Sequence, residues 1–338
     1  MSVFVKAGSL LGLVLFFNVP VYAEQLDYSP RHLVFASDPQ YPWTERTDSG
    51  EAQTDGERDA RSKWLIETQY SDIASFRTFY GGASKVPVMI NGDMTAFGHG
   101  WQRSTVKPIL DKHLGGYFDY GLGNHDYENN VDDCFLNNCA AGSVVDFQSH
   151  YLGKLDSLDM KASSEGSIAK SVIGSLAYSR VFGDVHFVQL HNEPTYSTVF
   201  TAWNWGIPTV YQIRDSLDWL EQDLKVAREK GRIILLNMHK PDEWKGSPEQ
   251  VERFRLMIQK YQVSAVFAGH YHRDAGTWWG YDQRTFFGDV PVFLSGGASQ
   301  QTYLTASFSE DRKSLTVSMV KENKWPKQTE VKTIPVRR

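Results

Sequence analysis

Asp38-Pro39-Gln40, Gly92-Asp93, Gly123-Asn124-His125-Asp126, His239 and Gly269-His270-Tyr271-His272 are short clusters, each standing where an apolar run gives way to a loop. Their donor atoms come from carboxylate, amide and imidazole, with no thiolate. That is the ligand set for divalent metals of intermediate hardness. Together the clusters hold enough ligands for two cations. Two cations close enough to share a carboxylate can activate a water and stabilise an in-line displacement at phosphorus. The residue types therefore point to metal-dependent hydrolysis of a phosphoester.

Such ligands need rigid elements beneath them, and the flanking sequence predicts those elements. His32-Leu33-Val34-Phe35-Ala36-Ser37 reads as a core strand breaking at Asp38, and Val86-Pro87-Val88-Met89-Ile90 as a second strand delivering Asp93. A third, aromatic strand leads through Gly121-Leu122-Gly123 to Asn124. Residues 232–238 form an apolar strand ending at His239, and residues 263–268 another ending at His270. Between them Ile213, Leu217, Leu220, Leu224 and Ala227 trace a helix face that Gly231 stops. Ser247-Pro248-Glu249-Gln250 is a capping box opening a second helix through Tyr261. Residues 178–190 read as a hairpin turning at Gly183-Asp184, and short strands follow at 290–294, 303–308 and 315–320. Residues 61–80 have helical spacing. Residues 44–58 read as an exposed loop, and residues 129–175 as an irregular insertion with a helix near 147–152. Alternating strands and helices with every ligand at a strand's carboxyl end describe an open α/β sheet, where ligands bind outside those ends.

The order Asp-x-Gln, Gly-Asp, Gly-Asn-His-Asp, His, Gly-His-x-His resembles the calcineurin-like metallophosphoesterase superfamily, from about Leu33 to Gln300. The resemblance implies an α/β fold, a four-layer sandwich of two central mixed β-sheets flanked by helices. It also implies a dinuclear centre at the sheet edge. Asp38, Gln40, Asp93 and His272 would hold one metal. Asp93, Asn124, His239 and His270 would hold the other, with Asp93 bridging. His125 would stabilise phosphoryl oxygens or protonate the leaving group. Asp126 would orient His125 or cap its turn. Hydrolysis would use a metal-bound hydroxide, with manganese or iron as the metals and zinc as an option. Gln40 departs from the histidine that many members carry, although some subgroups have Asp-Pro-Gln. Ala96 departs from the second aspartate of the serine/threonine phosphatases. Met94 and Thr95 offer no tyrosinate of the purple acid phosphatase kind.

His191 ends another strand and is a candidate for the substrate pocket, as are Trp203 and Trp205 in an aromatic segment suited to a bulky substrate or a lipid interface. Ordinary packing is the competing reading for all three. Cys134 and Cys139 are the chain's cysteines, and in an oxidising compartment they pair as one local disulfide.

Over 338 residues, hydrophobic residues make up 41% and charged residues 22%, as in a soluble globular protein. A net charge of -5 gives no basic footprint for nucleic acid. Lys6, an apolar run over residues 10–19 and Val21-Tyr22-Ala23 read as an export signal cleaved after Ala23. Residues 24–338 would then be a single exported domain, periplasmic or extracellular, without a transmembrane segment. Two further readings stand beside the phosphatase or phosphodiesterase. One is phospholipase C or sphingomyelinase-like cleavage of lipid headgroups, with peripheral lipid contact. The other is an inactive binding protein that kept the fold.

Overall fold

The structure is a computed structural model that describes residues 29–163, 170–204 and 207–338. The expected export signal and Trp205 lie outside the described residues.

Side-chain alternation along the first strand sets the layering. In His32–Ala36, Leu33 and Phe35 face one side and Val34 and Ala36 the other, the two-residue period of a strand. Leu33 and Phe35 meet Phe187, Ile233, Leu235, Phe267 and Phe293 from a second sheet. The rings of Phe35 and Phe267 stack with centroids 3.5 Å apart. Val34, Ala36, Val88 and Ile90 pack instead against Ile66, Tyr70, Ile73 and Phe76 of the helix Asp55–Phe79 and Val106 of the helix Gly100–Leu114. On the far face of the second sheet, Val188, Ile234, Leu236 and Val266 lie under the helices Leu217–Glu229, Pro248–Lys260 and Tyr281–Phe287. The result is helix, sheet, sheet, helix, the four-layer sandwich expected from the sequence.

The first sheet runs Thr329–Pro335, Ser314–Val320, Tyr303–Phe308, His32–Ala36, Val88–Ile90, Asp119–Tyr120. Its last three strands are parallel. The second runs Ala275–Thr277, Val292–Ser295, Ala265–Ala268, Ile233–Asn237, Val185–Gln189, Tyr178–Phe182, Ser157–Leu158, with a parallel centre from Val292–Ser295 to Val185–Gln189. Parallel strands covered on both faces are buried throughout, as Ile233–Asn237 is, and Ile233, Ile234, Leu235 and Leu236 meet that with a continuous apolar run. A third sheet, ordered Lys161–Ser163, Lys170–Gly174, Ile207–Ile213, Thr198–Asn204, grows from the segments on either side of the Tyr178–Gln189 hairpin.

Two sequence expectations change. Residues 44–58 are not a loop: they hold the helix Glu45–Ser49 and the start of Asp55–Phe79. Thr44 and Thr54 each form a capping box with the residue three positions on, so polar residues here serve helix starts. Within residues 129–175, the described residues hold more regular structure than expected. A helix spans Asn138–Tyr151, burying Ala140, Ala141, Val144, Phe147 and Tyr151, and Cys134 is disulfide-bonded to Cys139 at its entry.

Candidate metal centre

The parallel pairing continues past the strand ends into the loops that carry the candidate ligands. Asp38 N–H donates to Gly92 O at 3.0 Å, and Gln40 N–H to Asp93 O at 2.9 Å. In the second sheet His239 N–H donates to His191 O at 2.7 Å, and Gly269 N–H to His239 O at 3.0 Å. The two loop sets meet where His239 Nδ1 donates to Asn91 O at 2.7 Å and His270 N–H to Asp38 Oδ2 at 3.1 Å. Close approach explains two glycines of the motifs. A Cβ on Gly123 would sit 2.2 Å from Asp93 Oδ1, and one on Gly92 would sit 2.8 Å from His239 Nδ1. Asp38, Gln40, Asp93 and His270 have φ of 51, 38, 50 and 72°, in the left-handed region. Strain of this kind costs about 1–3 kcal/mol per residue and concentrates at functional sites.

Polar side-chain atoms of these residues converge on one buried space. Among the described residues, Asp38 Oδ1, Gln40 Oε1 and Nε2, Asp93 Oδ2, Asn124 Oδ1 and His239 Nε2 are buried without a hydrogen-bond partner. A carbonyl can only accept, so His239 carries a proton on Nδ1 and turns Nε2 towards Asp93 Oδ2, 3.0 Å away, and Asp38 Oδ1, 4.0 Å away. His272 repeats the arrangement. Its Nδ1 donates to Asp48 Oδ1 at 2.6 Å, leaving Nε2 3.3 Å from Asp38 Oδ1. Acceptors held this close, away from water, are stable only with positive charge among them. Burial works to strip the protons from His239 and His272. Against it, Asp93 and Asp38 hold His239 up at about 9, and Asp38 with Asp48 hold His272 up at about 10. Burial and the neighbouring His239 bring His270 down to about 4, so its imidazole is neutral. Asp93, His239 and His270 place a ligand atom each within 4.8 Å of one another. The donor set and its unpartnered lone pairs fit a pair of divalent cations.

His125 stands beside this cluster. Its backbone N–H donates to Asp93 Oδ1 at 2.8 Å and its Nδ1 to Ala96 O at 2.7 Å, which leaves Nε2 as the nitrogen for chemistry. Asp126 does not orient that ring. Its carboxylate accepts the N–H groups of Gly123, Met94 and Thr95 at 3.0, 3.0 and 3.1 Å, binding the Asp93 loop to the Asn124 loop. Burial, then the charge of Asp93, push its carboxyl up to about 7 against those three donors. The catalytic reading of Asp126 gives way to a clamp.

His191 is also not a pocket residue. It is buried, its Nδ1 accepts from Leu122 N–H at 2.9 Å, and its Nε2 donates to Leu176 O at 2.6 Å, so both ring nitrogens are committed to the backbone. Trp203 is exposed on the strand Thr198–Asn204, opposite Pro208. Two residues at the site were missed by the sequence reading. Trp43 lies edge-on to both His125 and His272, with centroids 5.5 and 5.7 Å apart, and Asp48 holds His272. Only a polar residue and an aromatic close after the first motif hinted at them.

Residues 33–274, well over half of the chain, match the sequence profile of the calcineurin-like phosphoesterase family. No curated protein matches the chain. Among solved structures, the chain is similar to GAP50, the anchor in the inner membrane complex of Plasmodium. That match has 10% identity over 91% of this chain and 89% of that chain, with a TM-score of 0.46. It is also similar to a protein serine/threonine phosphatase from Saccharomyces cerevisiae with similarity to human phosphatase PP5. There identity is 10% over 86% and 80% of the two chains, with a TM-score of 0.35. Vps29 from Chaetomium thermophilum matches at 8% identity over 91% and 97%, with a TM-score of 0.33.

Proposed function

Because the chain belongs to the calcineurin-like phosphoesterase family, whose members act on phosphoesters with two divalent metal ions, we propose that it is an exported hydrolase of phosphomonoesters or phosphodiesters. The observation that carries this reading is the set of buried, unpartnered lone pairs on Asp38, Gln40, Asp93, Asn124 and His239. In this reading Asp38, Gln40, Asp93 and His272 would hold one metal. Asp93, Asn124, His239 and His270 would hold the other, with Asp93 common to both sets. When bound, the two cations supply an activated water and neutralise charge gathering on the phosphoryl oxygens. An oxygen-rich first site favours manganese or iron.

The chain's own residues do the rest. Asp126 fixes the spacing of the two ligand loops. Ala96 O holds the His125 ring through Nδ1–H, and in its doubly protonated form the ring turns Nε2–H to protonate the departing oxygen or steady a phosphoryl oxygen. Trp43 and Phe97 stand edge-on to the His125 ring, at 5.5 and 6.4 Å, and give the leaving group an apolar wall. Export rests on the amino-terminal pattern of Lys6, the apolar run and Ala23.

Hydrolysis of nitrophenyl mono- and diesters with added manganese tests the reading. Wild type should turn over at least one of them, and Asp93→Asn should abolish turnover with the fold intact, because it removes the anion shared by both metals. Wild-type rates in metal-replete Asp93→Asn protein would sink the dinuclear assignment.

A further inference from the structure

Asp48 sits in a polar stretch whose helix, Glu45–Ser49, buries no residue of its own. Its five residues are all polar or charged, yet the Asp48 side chain is only 6% exposed. Its two oxygens accept four hydrogen bonds. Oδ1 takes His272 Nδ1–H at 2.6 Å and Trp43 Nε1–H at 2.7 Å, and Oδ2 takes Ser299 Oγ–H and Gln300 Nε2–H at 2.6 Å each. Four donors fill the lone-pair capacity of an ionised carboxylate. The donors come from three separate places in the chain, and two of them face the candidate centre.

We propose that Asp48 is the positioning residue of the first metal site. Through one carboxylate it fixes the His272 ligand and, on the same oxygen, the Trp43 ring beside His125. The proposal rests on the metal assignment above. Its physical basis is that a carboxylate on Nδ1–H fixes the tautomer of an imidazole, sets its orientation and raises the basicity of Nε2. Nε2 of His272 faces Asp38 Oδ1 at 3.3 Å, as a ligand to a shared cation must. Because Trp43 Nε1 and His272 Nδ1 share Oδ1, a metal that draws His272 inward also shifts the hydrogen bond that holds the indole. Occupancy of the first site is therefore felt at the wall of the leaving-group side. Partners such as this typically contribute about 10–100-fold in metal affinity.

The test is a manganese titration of the metal-free full chain, followed by calorimetry and by tryptophan fluorescence. Wild type should bind two ions, with a fluorescence change tied to one of them. Asp48→Asn should weaken that one site by about 10–100-fold and leave the other near its wild-type midpoint. Trp43→Phe should remove the fluorescence change while both midpoints stay. Equal midpoints in wild type and Asp48→Asn overturn the proposal and leave the metal assignment standing. A wild type that binds no metal overturns both. Should Asp48→Asn fail to fold, histidine-selective nitrogen-15 NMR of the wild type loaded with diamagnetic zinc decides. A slowly exchanging Nδ1–H on His272 supports the proposal, and a proton on Nε2 overturns it.

Discussion

At His125 the hydrogen bond from Nδ1 to Ala96 O leaves a single ring nitrogen for the substrate. His125→Ala should therefore slow turnover of poor leaving groups by about 10²–10⁴-fold, with a much smaller loss on nitrophenyl esters and unchanged metal content. Equal losses on both substrate classes would reassign the ring to charge stabilisation. Gln40 carries the second consequence at this scale. Its amide oxygen is a weaker ligand than imidazole, so Gln40→His should tighten the first site and reduce the manganese needed for full loading. Parallel titrations of bound metal in the two proteins check this, and coincident midpoints would remove Gln40 from the ligand set. The candidate ligands were legible because each follows its own strand within a few residues. Asp48 was not legible, since its partners His272 and Gln300 lie 224 and 252 positions away and only the folded chain brings them near. His191 left pocket and packing readings open, and the fold decides for packing. It too ends a strand, but its ring turns back to Leu122 and Leu176.

Each of the central parallel strands has two duties, packing one sheet on the other and aiming a loop. Phe267 shows both: its ring stacks on Phe35 across the sheets, and its strand ends just before His270. Phe267→Ala should destabilise the protein by about 3–5 kcal/mol in denaturant unfolding. A loss below about 1 kcal/mol would mean that the neighbouring rings close the vacated space. The same duties explain what could be read at this level. Apolar runs such as Ile233–Asn237 and the Ser247 capping box announce themselves through local pattern, and the structure has both. The helices Glu45–Ser49 and Asn138–Tyr151 do not announce themselves in this way. The first depends on polar caps and distant hydrogen bonds, and the second buries a mixed face of Ala140, Ala141, Val144, Phe147 and Tyr151 with polar residues between them, so that the sequence pointed only to its last turn.

For the molecule as a whole, the candidate centre joins the two sheets. Asp38, Gln40, Asp93 and Asn124 come from loops of the first sheet, and His239, His270 and His272 from the second. Metal bound only by the folded state should raise stability, by about 2.7 kcal/mol when free metal is 100-fold above its dissociation constant. Thermal melting with and without chelator should show a higher midpoint for the metal-loaded protein. An unchanged midpoint would mean that the ions do not link the sheets. The same geometry sets an order of events during synthesis. Asp38 pairs with His270 across 232 positions, Ser37 with Gly296 across 259, and His32 lies beside Ser307 in the sheet. A nascent chain that has emerged through Asn124 thus exposes half a coordination sphere and a strand with one edge unpaired. The full set of candidate ligands exists only once residue 272 has been made, and the open edge of His32–Ala36 waits longer still, for Tyr303–Phe308.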